Sequence, residues 1–245
     1  GKSSVGVARQ YCGELGKRAN CQSLVSLTLA QAEVPVPIAL RLYLPESWTD
    51  DRERCERAGV PDDIGFRTKG EIALAELKRV LVSGARFGCV LTDAAYGMSA
   101  DFRRTVSELG LRYAVGILPT QTVYPLDVEL HMPAPRGTGR PRKHPIPSER
   151  AVSVEETIDA LGEHAFRTIT WREGTKGALS CDFAAVRIHV ADGDAGAQGR
   201  HLPGEEAWLV CERRQSGERK YYLCNHPPRT WLRTLARAIK ARWSC

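Results

Sequence analysis

Residues 88–118 constrain the architecture more than any other stretch of the chain. Gly88 opens the segment GCVLTDAAYG, in which Cys89, Val90 and Leu91 make a short apolar strand, and Asp93 stands where that strand runs out. Ser99 to Leu109 follows, with Phe102, Val106 and Leu109 at helical spacing and Gly110 at its end. Arg112 to Leu118 (RYAVGIL) then reads as another strand. Strand–helix–strand alternation of this kind favours parallel neighbours in one sheet. Ligands of open α/β sheets gather beyond the carboxyl ends of the strands, so Asp93 is the first candidate functional residue. Ala94, Ala95 and Gly97 are small enough to leave space around its carboxylate. The competing reading is that Asp93 caps the helix after it. Both stay open at this point.

The first third reads as a strand meander. Ser4 to Tyr11, Cys21 to Leu29 and Val36 to Leu44 are strand candidates, with Gly13 to Asn20 as a polar turn between the first two. Short turns between successive strands imply antiparallel pairing. Helices are predicted over Thr49 to Ala58 and Thr68 to Val82. The fold class is therefore α/β with a mixed sheet: three antiparallel strands, then two parallel ones, with a mostly β insertion before the last helix. Seven of the fourteen prolines fall between Pro119 and Ser148, which marks an extended linker or surface loop. A short helix over Val152 to Leu161 and four strands follow: Phe166–Arg172, Phe183–Val190, Trp208–Glu212 and Tyr221–Cys224. A closing helix runs from Arg229 to Trp243, with Trp231, Leu235, Ile239 and Trp243 on one stripe read as core. The resulting division is 1–118 as the first part of a core, 119–226 as basic linker and β insertion, and 227–245 as a terminal core helix.

A chain of 245 residues with 42% hydrophobic content can bury a substantial core. No apolar run approaches the roughly 20 residues of a membrane span. The opening Gly1-Lys2-Ser3-Ser4 is not a secretory leader, and the missing initiator methionine fits an internal piece of a longer polypeptide. Eight scattered cysteines form no C-x-x-C pair, several fall inside apolar strands where a free thiol behaves as a small buried hydrophobe, and the cytosol is the compartment they suit.

The net charge of +6 is compatible with a polyanionic partner, and its location matters more. Arg136, Arg140, Arg142, Lys143 and His144 cluster in a stretch without acids, and Gly139-Arg140-Pro141 resembles the core of an AT-hook. Arg136, Arg140, Arg142 and Lys143 are the candidate DNA-binding residues. Arg213, Arg214, Arg219 and Lys220 flank a turn and read first as a solvated hairpin. Arg229, Arg233, Arg237, Lys240 and Arg242 give the last helix a cationic outer side, which suits DNA or simply the helix C-terminus. Trp171 and Trp208 read as core rather than base-stacking platforms, while Tyr96 and His164 suit either substrate contact or packing.

Taken in order, SVGVARQYCG, RLYLPESW, VLTDAAYG, YAVGI, WREGTKGALSCDFAA and the closing IKARW resemble bacterial insertion-sequence transposases of the DDE endonuclease superfamily. That resemblance implies an RNase H-like core performing phosphoryl transfer on DNA, with three carboxylates holding two Mg²⁺ (or Mn²⁺) ions. Asp93 matches the second Asp of the triad. The first Asp of the pattern lies before Gly1, and the Glu falls immediately after Cys245. A residue at that last position lies within about 20° of Leu235 and Ile239 on a helical wheel, and so faces inward. The implied partners are transposon-end and target DNA, with no membrane and with self-association on DNA, in a cytoplasmic, nucleoid-associated setting. Two alternatives stay open: a catalytically dead DNA-binding module or relic, and an unrelated α/β metal-dependent hydrolase.

Overall fold

The computed structural model describes residues 4–31, 34–134, 144–174, 177–196 and 200–242. The chain divides into two compact units between Phe87 and Gly88.

In the first unit, β1 (Ala8–Cys12) pairs antiparallel with β2 (Lys17–Cys21), and β3 (Ser23–Gln31) with β4 (Val34–Tyr43). Antiparallel pairing is as expected, but it is delivered by two hairpins, each a two-stranded sheet of its own, so these strands do not share one mixed sheet with the parallel pair. Lys17 to Asn20 is a strand, not part of the turn, because only Gly13 to Gly16 turns the chain and Gly16 takes the positive φ (62°) that favours glycine. Two short helices follow, α1 (Glu46–Thr49) and α2 (Arg52–Arg57). Trp48 is fully buried with Leu44 and Cys55, and its indole N–H donates to the Val7 carbonyl at 2.9 Å. The longer helix α3 (Lys69–Val82) starts from a capping box in which Thr68 and Glu71 satisfy each other's backbone N–H. Its Glu76 is 7% exposed and lies between Arg41 at 2.7 Å and Arg79 at 2.8 Å.

The second unit begins with β5 (Cys89–Thr92), α4 (Ala94–Gly97), α5 (Ala100–Glu108) and β6 (Arg112–Ile117). β5 and β6 pair in parallel, Cys89 opposite Arg112 through Thr92 opposite Val115, as the alternation required. Tyr113 to Ile117 are all buried, which suits a central strand covered on both faces. The chain continues through β7 (Thr122–Pro125), β8 (Leu130–His131), β9 (Ile146–Pro147), β10 (Val152–Ser153) and α6 (Val154–Leu161). It ends with β11 (Arg167–Gly174), β12 (Gly177–Val190), β13 (Glu206–Arg213), β14 (Arg219–Cys224) and α7 (Leu232–Ala241). The main sheet runs β10-β7-β12-β13-β14-β6-β5, with β11 on β12, and every pairing except β5–β6 is antiparallel. This is the mixed α/β architecture of an RNase H-like fold.

Helix α7 seals one face of that sheet. Leu235, Ala236 and Ile239 pack with Phe183, Val210, Tyr222 and Cys224, and Cys89, Leu91 and Trp171 border the cluster. Trp231 corrects the predicted stripe: it is 82% exposed. The helix starts at Leu232, so Trp231 sits at the N-cap in extended conformation (φ −66°, ψ 141°) and leaves the helical wheel. Trp243 lies outside the described residues. No described helix is long and apolar enough to cross a membrane.

Candidate active site

The sequence element that builds the site is the abrupt switch after Thr92. Strand β5 ends, Asp93 takes extended backbone angles (φ −89°, ψ −175°), and its Oδ1 accepts from the Ala95 N–H at 3.0 Å. The capping reading is therefore correct, yet it occupies only one oxygen. The other, Oδ2, stands 3.4 Å from Nη2 of Arg242 at the end of α7. The Asp93 side chain is 48% exposed, so solvent and ligands reach it. Carboxylate and terminal helix thus share one site at the carboxyl end of a parallel strand.

The small residues of DAAYG serve a second purpose beyond the space expected around the carboxylate. Gly97 is buried against β6, and a Cβ there would fall well inside the Gly116 carbonyl and reach Val115 at 3.0 Å. A Cβ at Gly116 would in turn meet the Ala94 nitrogen at 3.2 Å. The two glycines let backbone lie on backbone, which fixes where Asp93 emerges. Tyr96 packs its ring 5.7 Å from Phe102, and burial first, then the Asp93 charge, pushes its hydroxyl above the ordinary range.

Behind the site lies a group that sequence reasoning missed. Glu212 on β13 is fully buried and accepts from Lys240 Nζ at 2.8 Å, Tyr222 Oη at 3.0 Å and Arg214 Nε at 3.3 Å. Burial alone would push its carboxyl up, but the bond and charge of Lys240, with Tyr222 and Arg214, hold it below the ordinary value. Lys240 also lies 4.4 Å from the centre of the Trp171 ring. This corrects the expected outer cationic side of α7, because Lys240 and Arg242 turn inward. A wheel signal existed: Arg242 is seven residues from Leu235 and Lys240 four from Ala236, within about 20° and 40° of buried positions.

The hairpin arginines are committed within the fold. Arg213 pairs with Asp182 at 3.2 Å and also with Glu163, Arg219 with Asp159, and Arg214 with Glu218 at 2.9 Å. Trp171 meets Phe183 edge-on, with ring centroids 6.3 Å apart, and the Trp208 indole donates to the Pro227 carbonyl at 3.0 Å. Both are packing residues. Arg136, Arg140, Arg142 and Lys143 lie outside the described residues.

Divalent cations such as Mg²⁺ take oxygen ligands, and Asp93 offers that chemistry. Among the described residues, however, no three of His, Cys, Asp and Glu gather to hold a metal ion. These residues alone do not fit a two-ion centre.

Comparison with known proteins then decides the family. Residues 1–178 match the family model of the DDE superfamily endonucleases. The chain belongs to that family. Over 112 residues it is 34% identical to a probable transposase for insertion sequence element IS701 from Microchaete diplosiphon, covering 45% of this chain and 27% of that relative. The chain thus spans about a quarter of that relative's length. Family membership sets aside the unrelated α/β hydrolase, and DDE superfamily endonucleases are generally dependent on divalent metals.

Proposed function

We propose that this DDE-family chain is a fragment of the catalytic core of a DNA transposase, inactive by itself, and that Asp93 is one of the carboxylates at the reaction centre of the whole protein. In the whole protein the reaction is cleavage of phosphodiester bonds at transposon ends and their transfer to target DNA. The observation that carries the reading is the meeting of Asp93, at the end of a parallel strand, with the terminal turn of α7. The Ala95 N–H orients the carboxylate, and Arg242 balances its charge. The Gly97–Gly116 contact keeps the strand end from shifting. The resemblance assigns the remaining carboxylates to positions before Gly1 and after Cys245, so the proposal concerns the whole protein. Arg136, Arg140, Arg142 and Lys143 then belong to a basic DNA-contacting segment.

The test uses the whole protein that carries this chain. Asp93→Ala is expected to abolish Mg²⁺- or Mn²⁺-dependent nicking and joining of transposon-end DNA while duplex affinity is retained. Nicking by that variant at the wild-type rate refutes the assignment. The relic reading requires binding without cleavage in the unmutated protein.

A further inference from the structure

The last nineteen residues, Pro227 to Cys245, contain five cations and no acid. Two of those cations, Lys240 and Arg242, are spent inside the unit on Glu212 and Asp93. The other three, Arg229, Arg233 and Arg237, are exposed and make no ion pair or hydrogen bond among the described residues. Arg233 and Arg237 lie four residues apart on one side of α7, and Arg229 precedes them in the segment that leads into the helix. Beside them stands Trp231, an 82% exposed indole that neither packs nor caps the helix.

This arrangement works against the isolated fold. Like charges four residues apart repel along a helix. Arg233 also lies in the first turn of α7, at the positive end of the helix dipole, where no acid or side-chain cap offsets it. The hairpin arginines of the same unit show the opposite pattern, since Arg213, Arg214 and Arg219 each face a carboxylate. Three uncompensated guanidiniums beside an exposed indole are the surface chemistry of a polyanion contact. Phosphates would relieve both the mutual repulsion and the conflict with the dipole.

We propose that Arg229, Arg233 and Arg237, flanked by Trp231, form a track for the sugar–phosphate backbone of duplex DNA. The inference rests on the DNA-transposase reading and names a contact surface separate from the Asp93 carboxylate. The track supplies affinity and orientation without base sequence, because phosphate contacts carry none.

The test measures binding of a labelled duplex of arbitrary sequence to this chain by fluorescence anisotropy. It is run over a range of salt, without divalent cations, in an Asp93→Ala background. Each phosphate neutralised contributes about 0.9 to the slope of log affinity against log salt. Replacing Arg229, Arg233 and Arg237 together with Gln is expected to lower that slope by about two to three, with the thermal melt unchanged or slightly raised because the residues are exposed, unpaired and repel one another. DNA-induced quenching of tryptophan emission is expected to fall in Trp231→Phe. An unchanged slope overturns the track, as does a chain that fails to bind duplex at all. Binding to an acidic polypeptide that is weakened by the triple variant, while DNA binding is not, overturns it in favour of a protein partner. None of these outcomes depends on strand cleavage, so the track and the catalytic reading fail separately.

Discussion

At Gly97 one hydrogen atom decides the position of a carboxylate. The Gly97–Gly116 approach leaves no room for a methyl group, and the obstacle is backbone, which cannot rotate away. Gly97→Ala is therefore expected to destabilise the protein by roughly 1–3 kcal/mol, the usual cost of overpacking, with a matching loss in urea midpoint. It should also move Asp93, so that cleavage by the whole protein falls by more than the stability loss explains. Gly116→Ala is milder, since its Cβ meets Ala94 and Asp93 backbone at 3.2 Å and 3.4 Å. Asp93 itself was legible in the sequence, because an acid after a short apolar strand and before small residues has few places to go. The requirement at Gly97 was not, because its cause is a strand nineteen residues away.

At the scale of the element, α7 is held on the sheet by a buried ion pair as well as by its apolar face. The Lys240 side chain is 10% exposed and Glu212 is fully buried, so removing one charge strands the other. Glu212→Gln is expected to cost roughly 3–5 kcal/mol, the range for breaking a buried pair. Its pH dependence has a definite sign. Burial opposes ionisation of Glu212, yet Lys240, Tyr222 and Arg214 depress its folded value below the ordinary 4.5. The stabilisation is then complete above that value and is lost as the pH falls through the lower, folded one. The gap in urea midpoint between the wild type and Glu212→Gln should accordingly be widest near neutrality and close in acid. The helices themselves were readable from period and caps: Ser99, Thr68 and Ser153 sit at the N-caps of α5, α3 and α6. The charges of α7 misled because a cation on the buried arc looks, by type alone, like a solvated one. Only its angle to Leu235 and Ala236 gives it away.

For the whole molecule, the parallel β5–β6 pair and β11 to β14 were legible from apolar runs bounded by turns. Strand β7 was not: prolines marked its surroundings as a linker, yet Val123 and Tyr124 are buried in a strand that pairs with β12 and β10. Polar β2 was not, because Lys17 to Asn20 earns its strand only by pairing with β1. All seven described cysteines are free thiols, of which Cys55, Cys211 and Cys224 are buried as apolar surroundings suggest and the other four are partly exposed. Burial pushes Cys89 and Cys211 up to about 12 and Cys224 well above its ordinary value. Alkylation of the native chain near pH 8, followed by peptide mass spectrometry, should label the partly exposed Cys12 early and leave these three untouched until the protein unfolds. The fourteen-residue β12 carries a further consequence. It bonds to β13 over Asp182–His189 on one side, and to β11 and then β7 on the other, so no neighbour can peel away and free it. Its main-chain protons from Phe183 onward should therefore be the last to trade for deuterium, surrendering only when the entire sheet opens at once.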